Sequence, residues 1–238
     1  MYNFLTPFVL TFIQIFVAVD ATQPHAFVKG YMSTEADHRL MVDNIMDLSH
    51  ADYLHPDSLG GGSITRTKPV VQQTGDTVSV RWLVRNERAL PVFQSEMPSP
   101  DAKSDMWIEV HWHPSGAMLL RAGATPAGTP PERGIDTHNA HIMTPESHGR
   151  THYFYCSSRN YRTRDPEFNA FLAATLRSAF EREDRPMVEG QQRRIGVQEF
   201  SELKPALMSI DVAASRVREI YDRLLAREQG AHQGTPRA

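Results

Sequence analysis

The sequence predicts an α+β fold, an antiparallel sheet with a long helix packed on it. From Asp76 to Cys156, short apolar–polar alternations recur between Pro- and Gly-rich turns, the pattern of half-buried strands joined by hairpins. From Asp165 onward the period becomes helical, with Phe168, Phe171, Leu172, Leu176, Ala179 and Phe180 on one face. The 238 residues carry no internal repeat and suffice for one domain with a sizeable core.

Residues 1–22 form an apolar segment in which only Thr11 and Gln14 interrupt Phe8 to Val19. That run is short of the ~20 residues of a membrane span. Its length and the small residues from Ala18 to Ala21 suit a secretory signal, yet no Lys or Arg precedes Lys29. A signal, an anchor, a buried element and a non-native start all stay open. A cytoplasmic protein is expected, or a membrane-associated or exported one if the run is genuine.

His25 to Met32 reads as a short strand and Thr34 to Arg39 as a polar approach to a helix. Strands follow at Ile64 to Val71 and at Asp76 to Arg85, where Val78, Val80, Trp82 and Val84 alternate with mostly polar residues. A loop at Glu96 to Asp105 precedes strands at Met106 to His113 and Ala117 to Ala122. A second loop, Thr125 to Gly134, precedes strands at His138 to Met143 and Thr151 to Cys156. Asp165-Pro166-Glu167 supplies an N-cap, a first-turn proline and a glutamate that suits the helix dipole. The helix runs through Arg182-Glu183-Asp184 until Pro186 kinks or ends it. Another helix starts near Asp211 with Val217, Ile220, Tyr221, Leu224 and Leu225, and residues 229–238 form a polar tail.

Composition narrows the function classes. With a net charge of −3 and no basic stripe, nucleic acid is not expected as a partner. A single cysteine, Cys156, rules out a disulfide framework or a multi-cysteine metal site, and it reads as an inert buried thiol. Chemistry concentrates instead at Val42 to Pro56, where Asp43 and Asp47 are followed by His50 and His55. Two imidazoles and one carboxylate on one face of an iron leave the opposite face open to dioxygen, so a third, acidic ligand is expected from elsewhere. On a straight helix Asp43, Asp47 and His50 share a face. His55 lies about 140° from His50 at ~100° per residue, so the helix must bulge or end between them. Pro56 and Gly60-Gly61-Gly62 mark that end. The rival reading is a solvated amphipathic helix with Ile45, Met46, Leu48 and Leu54 as its core face. His111-Trp112-His113 also puts two imidazoles on one strand face, but without further ligands at recognisable spacing it reads as structural or pocket-lining.

The string from Asp43 to His55 resembles the mononuclear-iron motif (D/E)-x3-D-x2-H-x4-H of Rieske non-haem iron oxygenases, in the vanillate O-demethylase and dicamba monooxygenase branch. His141 to Glu146, Thr151 to Phe154 and Ser157 to Tyr161 look like the strands before the long helix in that family. Glu183 to Glu189 looks like the segment carrying its iron-binding aspartate. The resemblance covers residues 23–228 and implies a helix-grip (START-like) α+β catalytic domain. It implies one mononuclear Fe(II) held by His50, His55 and Asp184. Periodicity adds that Asp184 stands four residues after Phe180 on the buried face, where a bare charge is costly. By the same resemblance Asp47 is the acid linking the iron site to a neighbouring subunit's Rieske cluster, and Asn44 the amide beside the iron. His141, Leu120 and Thr175 fall at substrate-contacting positions, and Leu120 and Thr175 depart from the polar and aromatic choices of the dicamba enzyme.

A Rieske [2Fe–2S] cluster needs two cysteines and two histidines, so this chain cannot supply one. The family's Rieske domain is therefore expected to be absent. The expected activity is monooxygenation of an aromatic substrate by dioxygen, O-demethylating a methoxyarene such as vanillate. Electrons would come from a Rieske or ferredoxin-type donor and a reductase in trans, and the assembly would be a homotrimer. The alternative is a non-catalytic small-molecule-binding or regulatory module that keeps the helix-grip pocket.

Overall fold

The computed structural model describes residues 26–233 apart from Ser115 and Glu199. The apolar segment 1–22, His25 and the last five residues of the expected tail lie outside the described residues. Strands β1 (Ala26–Thr34), β2 (Val70–Thr74), β3 (Thr77–Arg88), β4 (Lys103–Trp112), β5 (Ala117–Pro126), β6 (Ile135–Ser147) and β7 (Arg150–Arg159) form one sheet. Its order is β1-β7-β6-β5-β4-β3-β2, and every neighbouring pair is antiparallel. The alternation predicts five or six strands, and the described residues form seven. The strand expected at Ile64 to Val71 shrinks to β2, because Ile64 to Thr67 instead forms a turn, closed by the Thr67 N–H donating to the Ile64 carbonyl at 3.0 Å.

The alternation works as pleat geometry requires. On β3 the buried residues are Val78, Val80, Trp82 and Val84, and they stand opposite Trp112, Val110, Ile108 and Met106 of β4. Those eight side chains form a continuous inner face. A one-residue slip would turn all of them to solvent, which fixes the register.

β1 and β2 lie at opposite edges, so the chain between them must cross the inner face. This crossover carries α1 (His38–Met46), a 3-10 turn (Leu48–His50) and α2 (Ala51–Leu54). A single-turn helix, α3 (Pro91–Gln94), links β3 to β4. The long helix packs over the same face as α4 (Pro166–Ser178), a π turn (Ala179–Asp184) and α5 (Arg185–Ile195). Asp165 caps α4 by accepting from the Phe168 backbone N–H at 2.8 Å, as its sequence position predicts.

Pro186 does not end this helix, which continues past it. It falls in the first turn of α5, directly after the wider π turn has already interrupted the α-type ladder. Buried side chains recur every four residues at Phe168, Leu172, Leu176, Phe180, Asp184 and Val188, with Ala179 buried beside them. In an unbroken α-helix each such step drifts about 40°. The π turn takes back part of the drift and keeps Asp184 on the sheet side. The last helix, α6 (Val212–Gln233), packs on β2, β3 and α1, and extends into the polar stretch from residue 229 expected to be a tail. Among the described residues no helix is long and apolar enough to cross a membrane. An α+β, helix-grip arrangement is the result.

Candidate metal centre

The crossover is shaped to present two histidines. α1 stops at Met46, and Asp47 serves both sides of the break. Its N–H donates to the Asp43 carbonyl at 3.1 Å, while its carboxylate accepts from the Ser49 N–H at 3.0 Å and starts the 3-10 turn. α2 ends at Leu54, and the His55 carbonyl then accepts from the N–H groups of Ser58 (3.1 Å) and Gly60 (2.9 Å). The Asp52 carboxylate gathers the N–H groups of Gly61, Gly62 and Thr65, together with the Thr65 hydroxyl. Gly60 is required sterically, since a Cβ there would stand 2.1 Å from the Ala51 carbonyl oxygen. Two short turns thus replace the regular helix that could not have aimed both imidazoles at one point.

They meet at Asp184. His55 Nε2 lies 3.1 Å and His50 Nε2 3.5 Å from the same oxygen, Asp184 Oδ1. The three ligand atoms sit within 4.8 Å of one another, and among the described residues this is the group of three with metal-binding geometry. Ligands held ~2.1 Å from a common ion and at right angles stand about 3 Å apart, close to the 3.1 and 3.5 Å from the two Nε2 atoms to Asp184 Oδ1.

The Nδ1 atoms are engaged elsewhere. His50 Nδ1–H donates to the Asp47 carbonyl at 2.5 Å, and His55 Nδ1–H donates to Glu183 Oε2 at 2.6 Å. With both Nδ1 atoms engaged, two Nε2 atoms converge on one carboxylate oxygen. A cation makes that convergence favourable. Asn44 adds to it: its Nδ2 donates to Asp184 Oδ1 at 3.2 Å, while its buried Oδ1 has no partner. These residues fit a mononuclear Fe(II), with imidazole and carboxylate ligands on one side and room on the other. Burial works to lower the His55 pKa, but its hydrogen bonds to Asp184 and Glu183 prevail and raise it.

The structure sorts the sequence-derived candidates. His50, His55 and Asp184 converge, and Asn44 touches the group. Asp43 leaves it: the expected shared face with Asp47 and His50 is lost because α1 ends before His50, and the Asp43 carboxylate pairs with Arg218 of α6. Asp47 contacts His50 through its carbonyl, while its side chain caps the 3-10 turn. His141 and Leu120 line a cavity beside the triad, together with Phe180 and Asp184. Thr175 is half-buried on α4, where Leu172 and Leu176 reach the cavity in its place. His111 engages Glu109, and the His111-Trp112-His113 pair joins no group of three ligands among the described residues. Cys156 is half-buried with its thiol pKa raised by burial, as an inert thiol should be.

Glu183 was missed by sequence reasoning. The pair Glu183-Asp184 was its signal, since the wide π turn lets consecutive acids meet the two nitrogens of one imidazole. A carboxylate on the non-ligating nitrogen fixes the tautomer and ring orientation of a metal-binding histidine.

Comparisons with known proteins agree with this geometry. Residues 34–227 match the family described as vanillate O-demethylase oxygenase C-terminal domain. The chain is 31% identical over 197 residues to the dicamba O-demethylase oxygenase component of Stenotrophomonas maltophilia, covering 83% of this chain and 58% of that protein. It is 30% identical over 194 residues to the chloroacetanilide N-alkylformylase oxygenase component of Rhizorhabdus wittichii, covering 82% and 56%. The crystal structure of dicamba monooxygenase bound to 3,6-dichlorosalicylic acid superposes with a TM-score of 0.80 at 30% identity, over 87% of this chain and 61% of that one. The chain thus spans less than two thirds of the length of these relatives. With the family matched from Thr34 to Arg227 and the His-His-Asp triad in place, the chain belongs to the vanillate O-demethylase oxygenase C-terminal domain family, the catalytic domain of Rieske non-haem iron oxygenases.

Proposed function

We propose that this chain is the iron domain of a Rieske-type aromatic monooxygenase that O-demethylates a methoxyarene. The observation that carries this is the convergence of two imidazole Nε2 atoms on Asp184 Oδ1 beside a largely apolar cavity. Fe(II) held there would supply dioxygen activation. Net, one oxygen atom enters the methyl C–H bond, and two electrons and two protons reduce the other to water. The hemiacetal formed loses formaldehyde and leaves the phenol.

The chain's own residues bind and orient. Asp47 and Glu183 hold the two imidazoles through their Nδ1 protons. Asn44 steadies the Asp184 carboxylate, and apolar walls exclude water from the reacting methyl group. His50 is the ligand nearest solvent, with 21% of its side chain exposed against 2% for His55. An electron donor therefore approaches from the His50 and Asp47 side. With one cysteine in these 238 residues, the donor is a Rieske or ferredoxin-type centre outside them, served by a reductase. A homotrimer that sets Asp47 against a neighbour's cluster suits this edge. The rival reading, a metal-free binding module, would leave the two imidazoles ion-paired to Asp184 with no further role for the group.

Iron stoichiometry after anaerobic reconstitution, with the nitric oxide adduct read by EPR, tests the proposal. A single iron per chain, lost in His50→Ala and Asp184→Ala, is expected. Iron binding that survives Asp184→Ala refutes the third ligand, and no iron at all refutes the function.

A further inference from the structure

We propose that the open cleft between α3 and the first turn of α4 is the port through which an arene reaches the cavity beside the triad, with Val92 as the partition it passes. That this arene is a substrate rests on the oxygenase reading above. The cleft, of about 340 Å³, has Pro91, Val92 and Ser95 on one lip and Glu167, Phe168 and Phe171 on the other. Val92 also lines the inner cavity. Beside it the wall is aromatic: Tyr161 faces the inner cavity and Phe168 the cleft, with ring centroids 5.8 Å apart. One layer of side chains therefore separates the two spaces. The cavity under α6, between Val42, Trp112 and Val217, shares no wall residue with the inner one.

α3 is the lip that can give way. It is a single turn, too short to be stable alone, and no side chain caps its start. The Val92 N–H reaches out of that turn to the Ser58 carbonyl at 3.0 Å. An ion pair between Glu96, just past α3, and Arg162, just before α4, joins the lips loosely at 3.8 Å, and partly exposed pairs hold little. Arg162 itself keeps a left-handed backbone (φ 46°), a strained state for an arginine of the kind that collects at ligand-handling sites. Its guanidinium lies 4.2 Å from the Phe168 centroid, and Phe171 next to that ring is 57% exposed. An incoming arene thus meets an aromatic surface already in water. The opposite side of the cavity does not serve, because an electron donor seated at the His50 and Asp47 edge covers it.

Exchange of 4-fluoroanisole between water and the full, metal-free chain, followed by fluorine NMR, gives entry and exit rates together with Kd. Ser95→Cys puts a thiol on the outer lip, away from the inner wall, and a bulky methanethiosulfonate reagent attached there plugs the cleft. The plug is expected to slow entry and exit alike by at least about tenfold with Kd nearly unchanged, since a barrier in a port is crossed both ways. A phosphine reductant, which removes the plug, should restore both rates. Val92→Ala, which thins the partition, should raise both. The unsubstituted chain treated with the same reagent controls for Cys156, and the same plug on Tyr53→Cys, in α2 beside His50, should leave both rates alone. Unchanged rates in the plugged Ser95→Cys chain overturn the proposal, as does slowing by the Tyr53→Cys plug in its place or failure of 4-fluoroanisole to bind. Iron content after anaerobic loading separates the two readings. Iron bound with rates unchanged sinks the port alone, whereas slowed exchange in a chain that takes no iron keeps the port and sinks the oxygenase function.

Discussion

Replacing Glu183 isolates the hydrogen bond that orients His55 without touching a ligand. In Glu183→Ala the His55 Nδ1–H loses its 2.6 Å acceptor, and the cut-back side chain offers it no other. The ring is then free to turn or to move its proton to Nε2, the atom that faces Asp184. Partners of this kind are worth about 10- to 100-fold in metal affinity, or roughly 1.4–2.7 kcal/mol. Glu183→Gln keeps an oxygen at the same reach but gives up the charge, so it should recover most of the loss. About a third of the Glu183 side chain is exposed, so the fold itself should barely notice either change. Anaerobic titration with Co(II), followed by its visible absorption, measures affinity and coordination together, and urea unfolding checks that stability is unchanged. An alanine variant that binds metal as tightly as the unsubstituted chain, with the same spectrum, refutes the positioning role.

Gly60→Ala should weaken metal binding through the backbone, because its Cβ would strike the Ala51 carbonyl and displace the turn that presents His55. Overpacking of this kind costs about 1–3 kcal/mol, read as an earlier unfolding midpoint alongside weaker Co(II) binding. His141→Phe removes the partner of the buried Tyr153 hydroxyl, 2.6 Å away, and should destabilise the chain by about 1–3 kcal/mol in urea; an unchanged midpoint would mean that hydroxyl finds another acceptor. Asp43 gives a pH signature remote from the iron ligands. Burial, outweighing the Arg218 pairing, raises its carboxyl from 3.8 to about 6. The native state therefore takes up this proton before the unfolded state does. Its charge opposes folding fully above about 6 and not at all below 3.8, a difference of roughly 3 kcal/mol at ~1.4 kcal/mol per unit. Asp43→Asn should lack this dependence, so its stability relative to the unsubstituted chain should fall as pH drops from about 7 to about 4; parallel curves would refute it.

Local patterns determined a good deal here. Alternation on β3 and β4 gave the inner face because a strand's side chains can point only two ways. Asp165-Pro166 gave the start of the long helix because capping is settled within one turn. The spacing of His50 and His55 already required a break in the helix between α1 and the glycines, since no regular helix aims both at one ion. The single cysteine already meant that these 238 residues cannot by themselves hold a Rieske [2Fe–2S] cluster.

What sequence could not supply were contacts between distant segments. Asp43 looked equivalent to Asp47 until Arg218, on the last helix, claimed it. Glu183 looked like one acid among several in a charged turn until a π turn set it against His55. Pro186 looked like an end, and the same π turn had already made room for it. Above all, the cavity is a surface gathered from the crossover, the sheet and the long helix. Each wall residue is ordinary where it stands in the chain, and only their assembly makes a largely apolar enclosure around His50, His55 and Asp184.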